Sequence, residues 1–176
     1  MARFTALDPT QTSGKTRDIL GQIEKLLGVT PNLFRVAAQS PSCLEGLFAL
    51  TGATSKGTLS AQTREAIALT VAESNGCDYC LSAHAVLGKG AGLSDEAIDR
   101  ARNASSNDAK LQALLRLARA IVIGHGRIPD VDMQLISEAE ALEVVANVVL
   151  NIFTNYVNLV AGTEIDFPIV RARKAA

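Results

Sequence analysis

Along this chain apolar residues recur every three to four positions, so the pattern predicts helices from end to end and no convincing strand. After a polar start, helical stretches are expected from Thr16 to Leu27, Asn32 to Gln39 and Ser42 to Thr54, divided by loops at Gly28 to Pro31 and Ser40-Pro41. Ser60 is a suitable N-cap for a helix that ends near Asn75-Gly76, where glycine suits a left-handed turn. A new helix begins in the Cys77 region. Ser94 and Asp108 are expected to cap two more, of about 8 and about 16 residues by pattern, with Asp95 and Glu96 well placed in the first turn after Ser94. Asp130 is expected to cap another short helix. A long apolar helix then runs from Ala139 to Ala161.

That last helix is apolar enough to suggest a membrane span, but Glu143, Asn147, Asn151, Asn155 and Asn158 would be costly in hydrocarbon, so it reads as a core or interface helix. The four asparagines, with Glu140, Glu143 and Thr154, fall on one face of roughly 120°. A solvated face could equally use Glu or Lys, whereas repeated Asn points to hydrogen bonding with a neighbouring subunit or a pocket wall. Both readings stand on the sequence alone. Val, Leu, Ile and Phe fill the rest of the helix, and burial on both sides would favour a homo-oligomer. The expected fold is thus an all-α helical bundle occupying the whole chain, 1–176, as one domain.

With 176 residues the chain can bury a core without disulfide or metal staples. Its net charge of −1 offers no basic excess for nucleic acid or anionic lipid, so neither is expected as a partner. Hydrophobic residues make up 48% and charged residues 20%, which excludes disorder. A basic stretch followed by an apolar core and a cleavage site is missing from the first residues, so the cytoplasm is the expected location. A short basic tail, Arg171, Arg173 and Lys174, is expected to be solvated.

Three cysteines are an odd count, and two of them stand three positions apart within Cys77-Asp78-Tyr79-Cys80-Leu81-Ser82-Ala83-His84. On a helix Cys77, Cys80 and His84 share one face within roughly 60°, continued by Leu87 and Ala91, while Asp78, Ser82 and Lys89 lie on the opposite, solvated side. A thiolate is the reactive form of cysteine, and a helix N-terminus and a nearby imidazole both favour it. Once one sulfur is oxidised to sulfenic acid, a neighbouring thiol can close a disulfide before further oxidation. The preceding helix adds Glu65, set among Ala61, Ala68, Leu69 and Ala72. A carboxylate facing a core needs a partner. A tight turn at Asn75-Gly76 would fold the two helices together and make His84 that partner, able to relay protons toward a cysteine.

Glu65, Cys77, Cys80 and His84, with eleven, two and three residues between them, resemble the core motif of the AhpD-like alkylhydroperoxidases of the carboxymuconolactone decarboxylase superfamily. The resemblance implies a thiol peroxidase acting on hydrogen peroxide or organic hydroperoxides, with Cys80 as the peroxidatic sulfur, Cys77 as the resolving one, and His84 with Glu65 as the proton relay. It implies an external dithiol donor of lipoyl or thioredoxin type, a homo-oligomer, and no haem, flavin or metal cofactor. A second His before the later Cys, seen in such enzymes, is replaced here by Tyr79. The decarboxylase branch lacks the paired Cys, so the CxxC argues against ring-cleavage decarboxylation. Other readings of the same residues are a redox-responsive switch, dithiol–disulfide exchange, a zinc site lacking its fourth ligand, and a structural cysteine pair. Glu73 reads as solvated or capping, and Cys43 and His125 as structural.

Overall fold

A computed structural model describes residues 2–128 and 133–173; the expected cap at Asp130 and the tail residue Lys174 lie outside the described residues. After a short 3-10 turn at Pro9–Gln11, the helices are α1 (Gly14–Leu27), α2 (Asn32–Ala37), α3 (Pro41–Thr54), α4 (Ala61–Ser74), α5 (Asp78–Gly90), α6 (Asp95–Arg102), α7 (Ala109–Ile123) and α8 (Glu138–Ala161). No strand occurs among the described residues, and the all-α expectation holds.

The helices start where side chains can hold the unpaired amides of the first turn. Ser60 accepts from Thr63 N, Ser94 from Ala97 N, and Asp108 from Leu111 N. Ser137 and Glu140 cap α8 reciprocally, a pairing that sets its start one residue before the expected Ala139. Expected and observed ends differ most around α2 and α3. Pro41 occupies the first position of α3 behind Ser40, where its missing N–H costs nothing, and α2 stops at Ala37.

Every residue of α4 from Ala66 through Ala72 is buried. A helix buried all round belongs at the centre, and α5, α6, α7 and α8 all pack against it. The polar member of that run, Thr70, donates its hydroxyl to the carbonyls of Ala66 and Ala101. Around α4 the fully buried Leu44, Leu47, Ile67, Leu69, Leu81, Leu115, Val144 and Val148 join α3, α5, α7 and α8 into one core.

Between α4 and α5, Gly76 takes φ +66°, a left-handed conformation that suits glycine, and Cys77 N donates to Ala72 O at 2.9 Å. The chain reverses there, so α5 runs back along α4. After α8 an extended segment, 163–173, lies across the outer side of α5. Val170 N donates to the Ser82 hydroxyl, Ala172 N to Asp78, and Arg171 pairs with Asp78. Ser82, expected on a solvated back, is buried under this segment. The basic tail is docked as well: Arg173 pairs with Asp99 and donates its backbone N–H to Glu73. The short-range helical pattern carries no information about a chain end returning from ninety residues away.

Candidate active site: a thiol pair beneath an apolar cavity

Cys77 is the N-cap residue of α5, and its sulfur accepts the N–H of Cys80 at 3.4 Å. Ser, Thr, Asp or Asn would cap better, so a cysteine here is not explained by helix formation. Cys80, one turn on, places its sulfur 2.8 Å from that of Cys77, both as free thiols. Their exposure is 1% and 2%, so reagents reach them only through the protein interior or an opening beside it.

Such an opening exists. A cavity of about 590 Å³ lies between α3, α4, α5, α8 and the C-terminal segment, with Cys80, His84 and Glu65 in its lining. Leu27, Val29, Leu33, Phe34, Val86, Leu87, Leu150 and Phe167 give it a broad apolar wall, with Arg64 and Asp166 as further charged groups. Asn147, Asn151 and Thr154 of α8 add polar groups beside the sulfur.

His84 Nδ1 stands 2.8 Å from Glu65 Oε2, with the two side chains 19% and 22% exposed. The α4–α5 turn thus joins the two residues as the sequence pattern suggested. Burial tends to keep the imidazole neutral, but the Glu65 carboxylate, by charge and by hydrogen bond, outweighs it and raises the His84 pKa. Among the described residues no hydrogen bond links the ring to either sulfur, so His84 meets Cys80 only across the cavity.

The two thiols differ. For Cys80, burial favours the neutral form, yet the hydrogen bonds with Cys77 and Asn158 and the polar side chains of Asn155 and Thr154 close by win and hold it below the ordinary thiol range. Cys77 is pushed up, first by its hydrogen bond to Cys80, then by burial and the neighbouring charge. Negative charge therefore collects on Cys80.

The asparagine face of α8 turns inward. Asn147, Asn151, Asn155 and Asn158 are all buried, and Asn158 Nδ2 donates to Cys80 Sγ at 3.3 Å. Their 120° clustering was visible in the sequence, but the choice between a solvated face, a subunit contact and the wall of this protein's own site was not. Glu143, on the same face, accepts from the backbone N–H groups of Thr58 and Leu59 and so holds the loop before α4.

Tyr79, at the place of the additional histidine, has its phenol oxygen accepting the N–H of Leu33 at 3.0 Å, and its ring meets Phe167 edge-on. Burial, and then the Asp166 carboxylate beside it, raise its pKa, so the hydroxyl stays protonated and anchors α2. Glu73 is not solvated. Its carboxylate accepts from Arg102 Nε at 2.6 Å and from Arg173 N at 2.7 Å, which ties α4 to α6 and the chain end. Cys43 is half-buried on α3, and His125 sits exposed after α7 at φ +51°, both away from the cavity. No three His, Cys, Asp or Glu side chains converge as a metal-ligand set among the described residues.

The profile of the carboxymuconolactone decarboxylase family matches residues 41–122, a segment that includes Glu65, Cys77, Cys80 and His84. No curated protein matches the sequence. Among solved structures, an AhpD-core, uncharacterised peroxidase-related protein from Ralstonia eutropha JMP134 is similar with a TM-score of 0.84 at 18% identity, covering 94% of this chain and 92% of its own. A cysteine-to-alanine variant of the debrominase Bmp8, in complex with 2,3,4-tribromopyrrole, gives 0.78 at 19% identity, covering 94% of each chain. An uncharacterised peroxidase-related protein from Silicibacter sp. TM1040 gives 0.77 at 20% identity, covering 91% of each.

Proposed function

We propose that this chain, whose residues 41–122 match the carboxymuconolactone decarboxylase family and whose fold is similar to that of an AhpD-core protein, is a thiol peroxidase that reduces organic hydroperoxides through Cys80 and Cys77. The observation that carries the reading is the position of Cys80: a sulfur on which charge is favoured, at the floor of an apolar cavity that also holds the His84–Glu65 pair.

In the proposed cycle the Cys80 thiolate attacks the outer oxygen of the hydroperoxide. The O–O bond breaks, an S–O bond forms, and the sulfur is oxidised by two electrons while the peroxide is reduced to an alkoxide. His84, held protonated by Glu65, supplies the proton that makes this leaving group an alcohol. Cys77 then attacks the sulfenic acid, the S–S bond closes and water leaves. An external dithiol restores both thiols by exchange through a mixed disulfide. A lipoyl-type or thioredoxin-type donor satisfies that chemistry. Hydrogen peroxide fits the same steps, but a cavity of about 590 Å³ with a mostly apolar surface is far larger than two oxygen atoms need and favours a substrate with an apolar body.

The test is peroxide consumption by the purified protein with a small dithiol, comparing cumene hydroperoxide with hydrogen peroxide. Many equivalents per chain are expected, with none from Cys80→Ser and an over-oxidised Cys80 in Cys77→Ser. A halt after one equivalent would make the protein a redox switch instead, and dithiol–disulfide exchange without peroxide loss would make it an oxidoreductase of that kind. The resemblance to a debrominase supports a second reading, since a dithiol also supplies the two electrons that replace a ring C–Br bond by C–H with release of bromide. Bromide release from a bromopyrrole, with no peroxide turnover, would favour it.

The partner we propose for α8 is a second copy of this chain, in the cytoplasm. Leu142, Val145, Val149, Tyr156, Leu159 and Val160 stay exposed along its outer side. With Ile152 between them, Leu142, Val145, Val149, Tyr156 and Leu159 alternate in steps of three and four, the spacing of a helix seam which pairs with another straight helix. The nearby Glu138, Glu140 and Glu143 give no attraction to an anionic membrane surface.

A further inference from the structure

Two amide groups of α8 are buried beside Cys80 with hydrogen-bonding capacity left over. Asn155 is 0% exposed and Asn158 4%. Asn75, in the α4–α5 turn, donates its Nδ2 to Asn155 Oδ1 at 2.9 Å, which fixes the amide of Asn155. The other end of that amide, Nδ2, has no hydrogen-bond partner, and Asn158 spends its own Nδ2 on Cys80 Sγ while its Oδ1 stays unpaired. Buried side-chain donors without partners are uncommon, because each has given up water for nothing. A neutral thiol is a poor acceptor. A thiolate accepts from several donors at once, so the charged sulfur strengthens the Asn158 Nδ2 bond and offers an acceptor to the unpaired Nδ2 of Asn155.

Neither Asn155 nor Asn158 lines the cavity. They hold the sulfur from behind, and its open side remains toward the substrate.

We propose that Asn155 and Asn158 form an uncharged amide cradle behind Cys80 that stabilises its thiolate and thereby decides which of the two sulfurs is the nucleophile. This rests on the reading of Cys80 as the attacking sulfur. The titratable and charged groups around Cys80 are Cys77 and Tyr79 beside it, His84 one turn on, Glu65 and Arg64 from α4 and Asp166 from the C-terminal segment; α8 contributes only neutral side chains there. The cradle therefore acts through dipoles, and its effect resists salt, unlike that of an exposed counter-charge. The direction of the Cys80 and Cys77 pKa shifts agrees with this arrangement.

The experiment measures alkylation by iodoacetamide across pH in two single-thiol backgrounds, Cys43→Ser with Cys77→Ser and Cys43→Ser with Cys80→Ser, each with Asn158→Leu, Asn155→Leu, Asn158→Ala or Asn158→Gln. In the Cys77→Ser background, loss of a donor should move the alkylation midpoint upward, with the rate at neutral pH falling on the order of tenfold per unit moved. Asn158→Gln, which keeps a donor, should restore part of the rate, and Cys77 in the Cys80→Ser background should not respond. Asn158→Ala removes the donor without adding bulk or charge, so it decides the matter if the leucine variants do not fold. Equal midpoints with and without the amides, or equal shifts at both sulfurs, would overturn the cradle. Peroxide turnover is read separately on the unsubstituted protein: shifted midpoints without turnover would keep the cradle and remove the peroxidase.

Discussion

Replacing Glu65 by Gln tests the proton relay with little change of shape. The amide can still meet His84 Nδ1 at the observed 2.8 Å, so mainly the charge is lost. A hydrogen bond to a charged group contributes about 1.5–3 kcal/mol and a neutral one about 0.5–1.5, so the imidazolium should lose about 1–1.5 kcal/mol, or roughly a tenfold fall in protonated fraction within its titration range. The protein has two histidines, and His125 lies away from the site, so an NMR titration of the ring protons reads His84 against a built-in reference. Glu65→Gln should move the His84 midpoint down. The alkaline limb of kcat for organic hydroperoxide should move with it. Stability gives an independent sign. Because folding raises the His84 pKa, the stabilisation from this pair is complete below the ordinary histidine value near 6.5 and is lost as pH rises through the raised folded-state value. The Tm gap between parent and Glu65→Gln should therefore be wide in mildly acidic buffer and narrow in alkaline buffer. An unmoved His84 midpoint in a folded variant would refute the electrostatic coupling on which the relay depends.

Leu115 on α7 is fully buried and outside the cavity, so Leu115→Ala should destabilise by about 2–5 kcal/mol in denaturant titration while thiol alkylation of Cys80 is retained. Glu73 and Arg102 are 12% and 13% exposed, so Arg102→Met should cost up to about 3–5 kcal/mol by leaving a carboxylate with too few partners. The double variant with Glu73→Gln should recover much of that loss, and additive losses would mean that the pair is not coupled. Val149→Asp, in the middle of the exposed α8 stripe, should shift the mass measured by light scattering from dimer or higher to monomer; an unchanged mass would remove the self-association through α8.

Local order was legible in the sequence because it is decided within a few residues. The capping roles of Ser60, Ser94 and Asp108, the turn at Asn75-Gly76, and the common face of Cys77, Cys80 and His84 all follow from helix geometry and short side-chain reach. So did the pairing of Glu65 with His84, since a carboxylate set among alanines on a helix folded against its neighbour has few partners available. Only tertiary structure decided that the asparagines of α8 face Cys80 rather than water or another subunit. It also decided that Ser82, Glu73 and the basic tail are locked together by the returning chain end, and that His84 reaches the sulfur across a cavity and not by direct contact. Helical periodicity states which residues share a side. What lies opposite that side depends on segments eighty or more residues away, whose approach is set by packing of the whole core.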